Sequence, residues 1–331
     1  MILTSQRVLT PAGELRPGWV YIEGDRVAAT GLGTDPGNEA GLGSGIESPA
    51  AGEEDVLYLG NDVISPGFVD MHCHGGGGAS FTTGSVEDAR QVLATHWHEG
   101  STSVMASLVT DTPEVLGEHV QSLAPLVRAD DLLGVHLEGP CLSRVHQGAH
   151  APELLVAPAA IDLLGILDAA PGTVQMITIA TELEGGLDAV AQLRERGAKV
   201  ALGHSDATYL QTRAAIAAGV TVATHLCNAM RPLHHREPGP ILAFLQDDAA
   251  WVELIADGVH LAAEVVNGLF AVAARRIVLV TDAMSAAGMG DGTALLGPLE
   301  VSVRDGVARL TSTGAIAGST LTLSRAVRFS V

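Results

Sequence analysis

His72 and His74 stand two residues apart in the run Gly67-Phe68-Val69-Asp70-Met71-His72-Cys73-His74, which passes into four glycines. In an extended strand, residues two apart share a face. Both imidazoles therefore project together where the strand yields to a Gly-rich loop, and paired nitrogen ligands suit Zn²⁺ or Fe²⁺. The design recurs: Glu138, His204, His225 and Asp282 each close a later apolar run. Four neutral imidazoles and two carboxylates can hold one divalent ion, or two with a bridge. Glu138 is the candidate bridge, because a carboxylate has two oxygens to share. Asp282 has two candidate roles, metal ligand and proton carrier. A divalent ion lowers the pKa of water it binds from ~15.7 to about 7, and a neighbouring carboxylate can accept that proton and return it to a leaving amine.

These residues must be brought together by the elements that carry them. From Gly67 onward, short strand-like runs alternate with helix-like stretches, the pattern of βα units. The runs are Gly67–His72, Thr102–Leu108, Leu132–Glu138, Val174–Ala180, Lys199–His204, Val220–His225, Val252–Asp257 and Arg276–Asp282. Helices are expected over Val86–Glu99, Pro113–Arg128, Ala159–Ala169, Leu187–Arg196 and Thr208–Ala218. Thr112-Pro113 and Ser205-Asp206 supply start signals, and Gly100, Gly197 and Gly219 supply stops. Eight parallel strands with crossover helices close most naturally into a (β/α)₈ TIM-like barrel, whose C-terminal strand ends surround one mouth. The alternative, an open doubly wound sheet, is disfavoured because no Gly-rich phosphate fingerprint follows the first strand. One ionisable strand end would be unremarkable chance; six converging on one rim read as a metal site.

Residues 1–62 read differently, as a small β-sandwich-like domain ahead of a barrel domain at 63–331. Ile2–Leu9, Trp19–Glu23 and Arg26–Ala29 are β-like, and Gly31–Asp55 is expected to be a mobile surface loop. After the eighth run, Leu299–Val303 and Val307–Thr311 form an expected hairpin. A last helix is expected to start near Ser319 and to be cut short at Val331, so the chain reads as C-terminally truncated, without strands returning to the small domain.

Composition bounds the rest. The 331 residues are 47% hydrophobic, 17% charged and 3% aromatic, so the core must be aliphatic. A formal charge of −20 argues against nucleic acid or anionic lipid as partners. With no apolar run near the ~18 residues of a membrane span and no secretory signal, cytoplasmic residence is the expectation. Three cysteines argue against a disulfide framework. Cys73 should face away from its histidine neighbours, and Cys141 is expected to pack rather than to ligate. Arg236 suits bidentate phosphate binding. His150 and His260 fall on loops at the expected mouth, and His96, His98, His119 and His146 carry no assignment.

Pro66-Gly67-Phe68-Val69-Asp70-Met71-His72-Cys73-His74, the N-terminal β-segment and the strand-end His and Asp residues together resemble the amidohydrolase superfamily. Within it, Leu137-Glu138-Gly139-Pro140, Gly203-His204-Ser205-Asp206-Ala207, Thr224-His225-Leu226-Cys227-Asn228-Ala229-Met230, Ile255-Ala256-Asp257-Gly258-Val259-His260 and Val280-Thr281-Asp282-Ala283 are similar to N-acetylglucosamine-6-phosphate deacetylases. The resemblance implies hydrolysis of an N-acetyl group from a 6-phosphorylated amino sugar in amino-sugar catabolism or cell-wall recycling, with one or two divalent ions (Zn²⁺ or Fe²⁺) per subunit of a homodimer. It implies that Glu138, His204 and His225 hold the principal ion, and that His72, His74 and Asp282 hold a second. Asp282 matches the catalytic acid/base and His150 the histidine at the scissile carbonyl. Ala149, Asn228, Ala229, Arg236 and His260 match substrate contacts, with Arg236 and His260 candidates to come from the neighbouring subunit. Ile316, Ala317 and Gly318 match a segment lining the acetyl pocket. The galactosamine epimer, or a deaminase or cyclic-amidase reaction, is the alternative reading.

Overall fold

The computed structural model describes residues 1–34 and 56–331. The loop expected over Gly31–Asp55 lies almost wholly outside the described residues; Gly31 and Leu32 finish a strand, Arg26–Leu32. The chain divides into two compact units, Met1–Gly67 and Phe68–Val331. The first contains a four-stranded sheet built on Ile2–Ser5 and Gly18–Glu23 and a three-stranded sheet built on Arg7–Thr10. Ile2, Trp19 and Ala29 form its buried core.

In the second unit, eight parallel strands lie in sequence order around one sheet: Phe68–Cys73, Ser101–Val109, Val135–Glu138, Val174–Ile179, Lys199–Leu202, Val220–Ala223, Trp251–Leu254 and Ile277–Leu279. All eight expected runs form strands. The eighth meets the first just past its own end. Asp282 N–H donates to His72 O at 2.8 Å and His74 N–H donates to Ala283 O at 2.8 Å. The Thr281 hydroxyl donates to Asp70 at 2.6 Å. The ring is therefore closed by segments that carry ligand-type side chains.

Crossover helices cover the outside, and local chemistry starts and stops them. Thr112 caps Pro113–Arg128 by accepting from Val115 N–H, with proline in the first turn where its missing N–H costs nothing. Thr208 and Gln211 form a reciprocal capping box for Tyr209–Ala218. Ser205 and Asp206, expected to start that helix, are instead held by Glu182, which accepts from the Ser205 hydroxyl and the Asp206 N–H. The stretch expected as Ala159–Ala169 is α-helical only over Leu163–Asp168, because a short 3-10 turn, Pro158–Ala160, ends at the extended Ile161 and Asp162 becomes the cap. The last helix begins at Leu323 rather than near Ser319. Ser319 is occupied in closing the rim, its N–H donating to Asp282 O and its hydroxyl to Thr281 O. The expected hairpin forms and gains a third antiparallel strand, Gly292–Leu296.

Inside the barrel, side chains change character along the strand direction. Met105, Met176, Ala201 and Val222 pack as an apolar cluster. Two residues further along, Ser107, Thr178 and Thr224 are buried with His136 and Glu253. A hydrogen-bonded chain runs Ser107–His136–Thr178–Thr224, with separations of 2.9, 2.8 and 2.8 Å. This polar layer is the floor beneath the rim.

Candidate metal centre

The six strand-end residues converge. His72, His74, Glu138 and Asp282 form one buried donor cluster, and Glu138, His204 and His225 a second, so Glu138 belongs to both. The backbone is bent to achieve this. His204, His225 and Asp282 have φ of 47°, 29° and 48°. Left-handed backbone at a non-glycine residue costs on the order of 1–3 kcal/mol and persists only where its surroundings impose it. Here it turns each side chain inward as its strand ends.

The separations match a coordination polyhedron. Glu138 Oε1 lies 3.2 Å from His204 Nε2 and 3.0 Å from His225 Nε2, and those nitrogens are 3.1 Å apart. Glu138 Oε2 lies 3.1 Å from His74 Nε2, which is 3.2 Å from Asp282 Oδ1 and 3.2 Å from His72 Nε2. Ligands about 2.0–2.1 Å from a tetrahedral Zn²⁺ are separated by roughly 3.3 Å, so the donor atoms already stand at polyhedron edges.

The far side of three of the four rings fixes which nitrogen faces inward, whereas His225 Nδ1 is buried with no partner among the described residues. His74 Nδ1 is 3.1 Å from Ser107 O, His204 Nδ1 is 2.8 Å from His146 O, and His72 Nδ1 is 3.1 Å from Glu253 Oε2. Each of these three outer nitrogens faces an acceptor and is assigned the ring proton, leaving the Nε2 lone pairs to converge. Converging lone pairs must be balanced by protons or by a cation. Without an ion, protons do so. Burial opposes charge on His74, but Asp282 and Glu138 override it and raise its pKa to about 9. Burial likewise opposes charge on His72, and Glu138 and Asp282 raise it well above the ordinary value. Against the burial penalty, His72 and the histidines bonded to Glu138 hold that carboxyl well below the usual range. His204 falls to about 4, through burial and then the nearby His150.

A cavity of about 380 Å³ opens over the centre. Of the sequence-derived site residues, His74, Glu138, His150, His204, His225 and Asp282 line it, as do Ala149, Asn228, Ala229, His260, Ile316 and Gly318. His72 lies fully buried beneath. Ala317 packs in the core of the three-stranded sheet. Arg236 is exposed, outside the lining, against His235. His150 Nδ1 is buried without a partner among the described residues. His260 Nδ1 is 2.7 Å from Asp257 Oδ2. Cys73 faces away from the donors, against His96 at 3.3 Å, and Cys141 joins neither donor cluster.

Sequence reasoning missed four supporting side chains. His146 sits on the cavity wall 3.0 Å from Asp206, which Arg231 also holds at 2.7 Å. Glu253 lies fully buried in the seventh strand. Its signal was available, an acid inside the apolar run Val252-Glu253-Leu254-Ile255-Ala256.

Comparison with known proteins gives a consistent result. The model of the amidohydrolase family matches residues 63–310. An N-acetylgalactosamine-6-phosphate deacetylase of Escherichia coli O157:H7 is 39% identical over 272 residues, covering 81% of this chain and 72% of the relative. An N-acetylglucosamine-6-phosphate deacetylase of Vibrio furnissii is 35% identical over 297 residues, covering 88% and 74%. Among solved structures, an N-acetyl-D-glucosamine-6-phosphate deacetylase variant of Mycobacterium smegmatis, in complex with N-acetyl-D-glucosamine-6-phosphate, superposes with a TM-score of 0.91. It is 46% identical, with 99% of this chain and 82% of that one covered.

Proposed function

The chain belongs to the amidohydrolase family, and from that premise we propose that it is a metal-dependent deacetylase converting N-acetylglucosamine 6-phosphate and water to glucosamine 6-phosphate and acetate. The observation that carries this reading is the position of Glu138, whose two oxygens face His204 and His225 on one side and His74 on the other. Glu138, His204 and His225 would hold the principal ion, and His72, His74, Glu138 and Asp282 a second, Zn²⁺ or Fe²⁺ by donor chemistry. A divalent ion bound there supplies Lewis-acid polarisation of the amide carbonyl and acidifies water.

The chain's own residues supply the rest. Asp282, whose carboxyl stays ionised because His72 and His74 outweigh its burial, takes a proton from the attacking water and passes it to the departing nitrogen. His150, which lines the cavity with Nε2 3.5 Å from Glu138 Oε2, donates to the carbonyl oxygen as negative charge develops there. His260, held at Nδ1 by Asp257, presents Nε2 to the phosphorylated sugar beside Asn228 and Ala229, while Ile316 and Gly318 wall the acetyl group. Arg236 is too exposed to serve its own cavity. It is assigned to the phosphate in the neighbouring subunit of a cytoplasmic homodimer.

The galactosamine relative supports a second reading, with the epimeric sugar phosphate as substrate. Acetate release measured side by side on the two epimers, with metals counted on the same sample, tests both. Faster turnover of the galactosamine epimer would replace the main reading, and absence of turnover on either would end it.

A further inference from the structure

We infer that Glu253 is a positioning residue that orients His72 and so determines whether the His72–His74 half of the centre retains its ion. The inference rests on the proposal that the two donor clusters hold metal. Glu253 comes from the strand Trp251–Leu254 and is fully buried, a position where a carboxyl group is costly unless it has a task. One oxygen, Oε2, serves two donors: His72 Nδ1 at 3.1 Å and the His225 backbone N–H at 3.2 Å. The other oxygen, Oε1, is buried with no partner among the described residues. Packing alone would not select a side chain that leaves an oxygen orphaned inside a barrel.

His72 is also singular among the rings. His74 and His204 direct Nδ1 to backbone carbonyls, of Ser107 and His146. Only His72, among these three, depends on a side chain. Carboxyl acceptors behind a ligating imidazole fix its tautomer and raise its donor strength, and their loss lowers metal affinity about 10–100-fold. The His72 ring is otherwise flanked by rings, His136 edge-on at 4.7 Å and His225 stacked at 5.6 Å. Neither contact specifies which nitrogen carries the proton.

The test titrates Zn²⁺ into metal-stripped wild type, E253L, E253Q, H72N and the E253L and E253Q doubles with H72N, with a competing chelator and elemental analysis as the readouts. Wild type should bind two ions per chain. E253L should lose affinity for one of them by about 10–100-fold, leaving the other unchanged. E253Q keeps an oxygen for both donors without the carboxylate and should fall between them, so it decides the matter if E253L fails to fold. H72N should bind one ion, and adding either Glu253 substitution should change nothing further, because Glu253 acts through His72. Wild-type affinity at both positions in E253Q overturns the inference. So does loss of the remaining ion in the doubles, which would place its action on the His225 backbone. A wild type holding one ion overturns the inference alone, and one holding none overturns the functional proposal with it.

Discussion

The carbonyl of His72 accepts the backbone N–H of Asp282 at 2.8 Å, and Asp282 Oδ1 stands 3.5 Å from His72 Nε2. One backbone bond joins the first strand to the extension of the eighth, and in doing so it sets two candidate ligands side by side. Barrel closure and assembly of the centre are thus the same event. Residues 210 positions apart in the chain (282 minus 72) meet because the sheet has no free edge there.

Asp282→Asn should lower kcat by about 10²–10⁴-fold, the contribution typical of a positioned proton carrier, with KM little changed. Steady-state acetate release from N-acetylglucosamine 6-phosphate reads this directly. A variant with near-normal kcat would remove Asp282 from the proton transfers.

Chelation should abolish turnover and lower the melting temperature, and added Zn²⁺ should restore both. An ion at a free concentration a hundredfold above its Kd stabilises the fold by about 2.7 kcal/mol. Equal melting temperatures for stripped and loaded protein would show that the donors do not bind metal in the native state.

Much of this arrangement was legible in the sequence, and the exceptions have physical causes. The eight strands were visible because each apolar run ends in a turn or an ionisable residue, and the ligands were visible because they are those residues. Ala263–Ala273 gave little signal, since it is apolar on nearly every face, and Gly239–Leu245 begins on Gly239-Pro240, which reads as a turn. An acid inside the apolar run marks Glu253 as unusual, but a mid-strand residue does not announce which face it takes or which ring it supports. Ser319 reads as a helix start because its bonds to Asp282 and Thr281 span nearly forty residues and leave no local trace.

The metal-free protein should respond to pH opposite to the loaded one. His74 has its pKa raised to about 9 in the fold, against an ordinary value near 6.5. Its stabilising contribution is therefore fully present below about pH 6.5 and is lost as pH rises through about 9. An ion requires the neutral imidazole, so metal affinity rises across the same window. Melting temperatures measured with and without chelator from pH 6 to 10 should diverge as pH increases. A constant gap would show that no proton is exchanged for the ion.

Arg236→Ala should raise KM for the phosphorylated sugar about 10–100-fold, as expected for loss of a charged hydrogen bond of roughly 1.5–3 kcal/mol, while kcat holds. Light scattering should report a dimer for both proteins. A monomeric, fully active wild type would contradict assignment of this exposed arginine to a neighbouring site.

Gly148 tests how tightly the second donor cluster is held from behind. Its φ is +57°, and a Cβ built there would lie 2.9 Å from His204 Cε1, against the ring of a candidate ligand. Gly148→Ala should therefore strain the backbone and displace that imidazole together. Gly172 provides the control, with a φ of +80° and open space around its Cβ position. Each alanine should cost on the order of 1 kcal/mol in unfolding free energy for the left-handed backbone. Only Gly148→Ala should also weaken metal binding, by about 10–100-fold if His204 loses its orientation. Denaturant unfolding of the stripped proteins separates the shared backbone cost, and chelator competition on the loaded ones reads the difference. Equal metal affinity in the two variants would mean that His204 moves aside without losing its place in the centre.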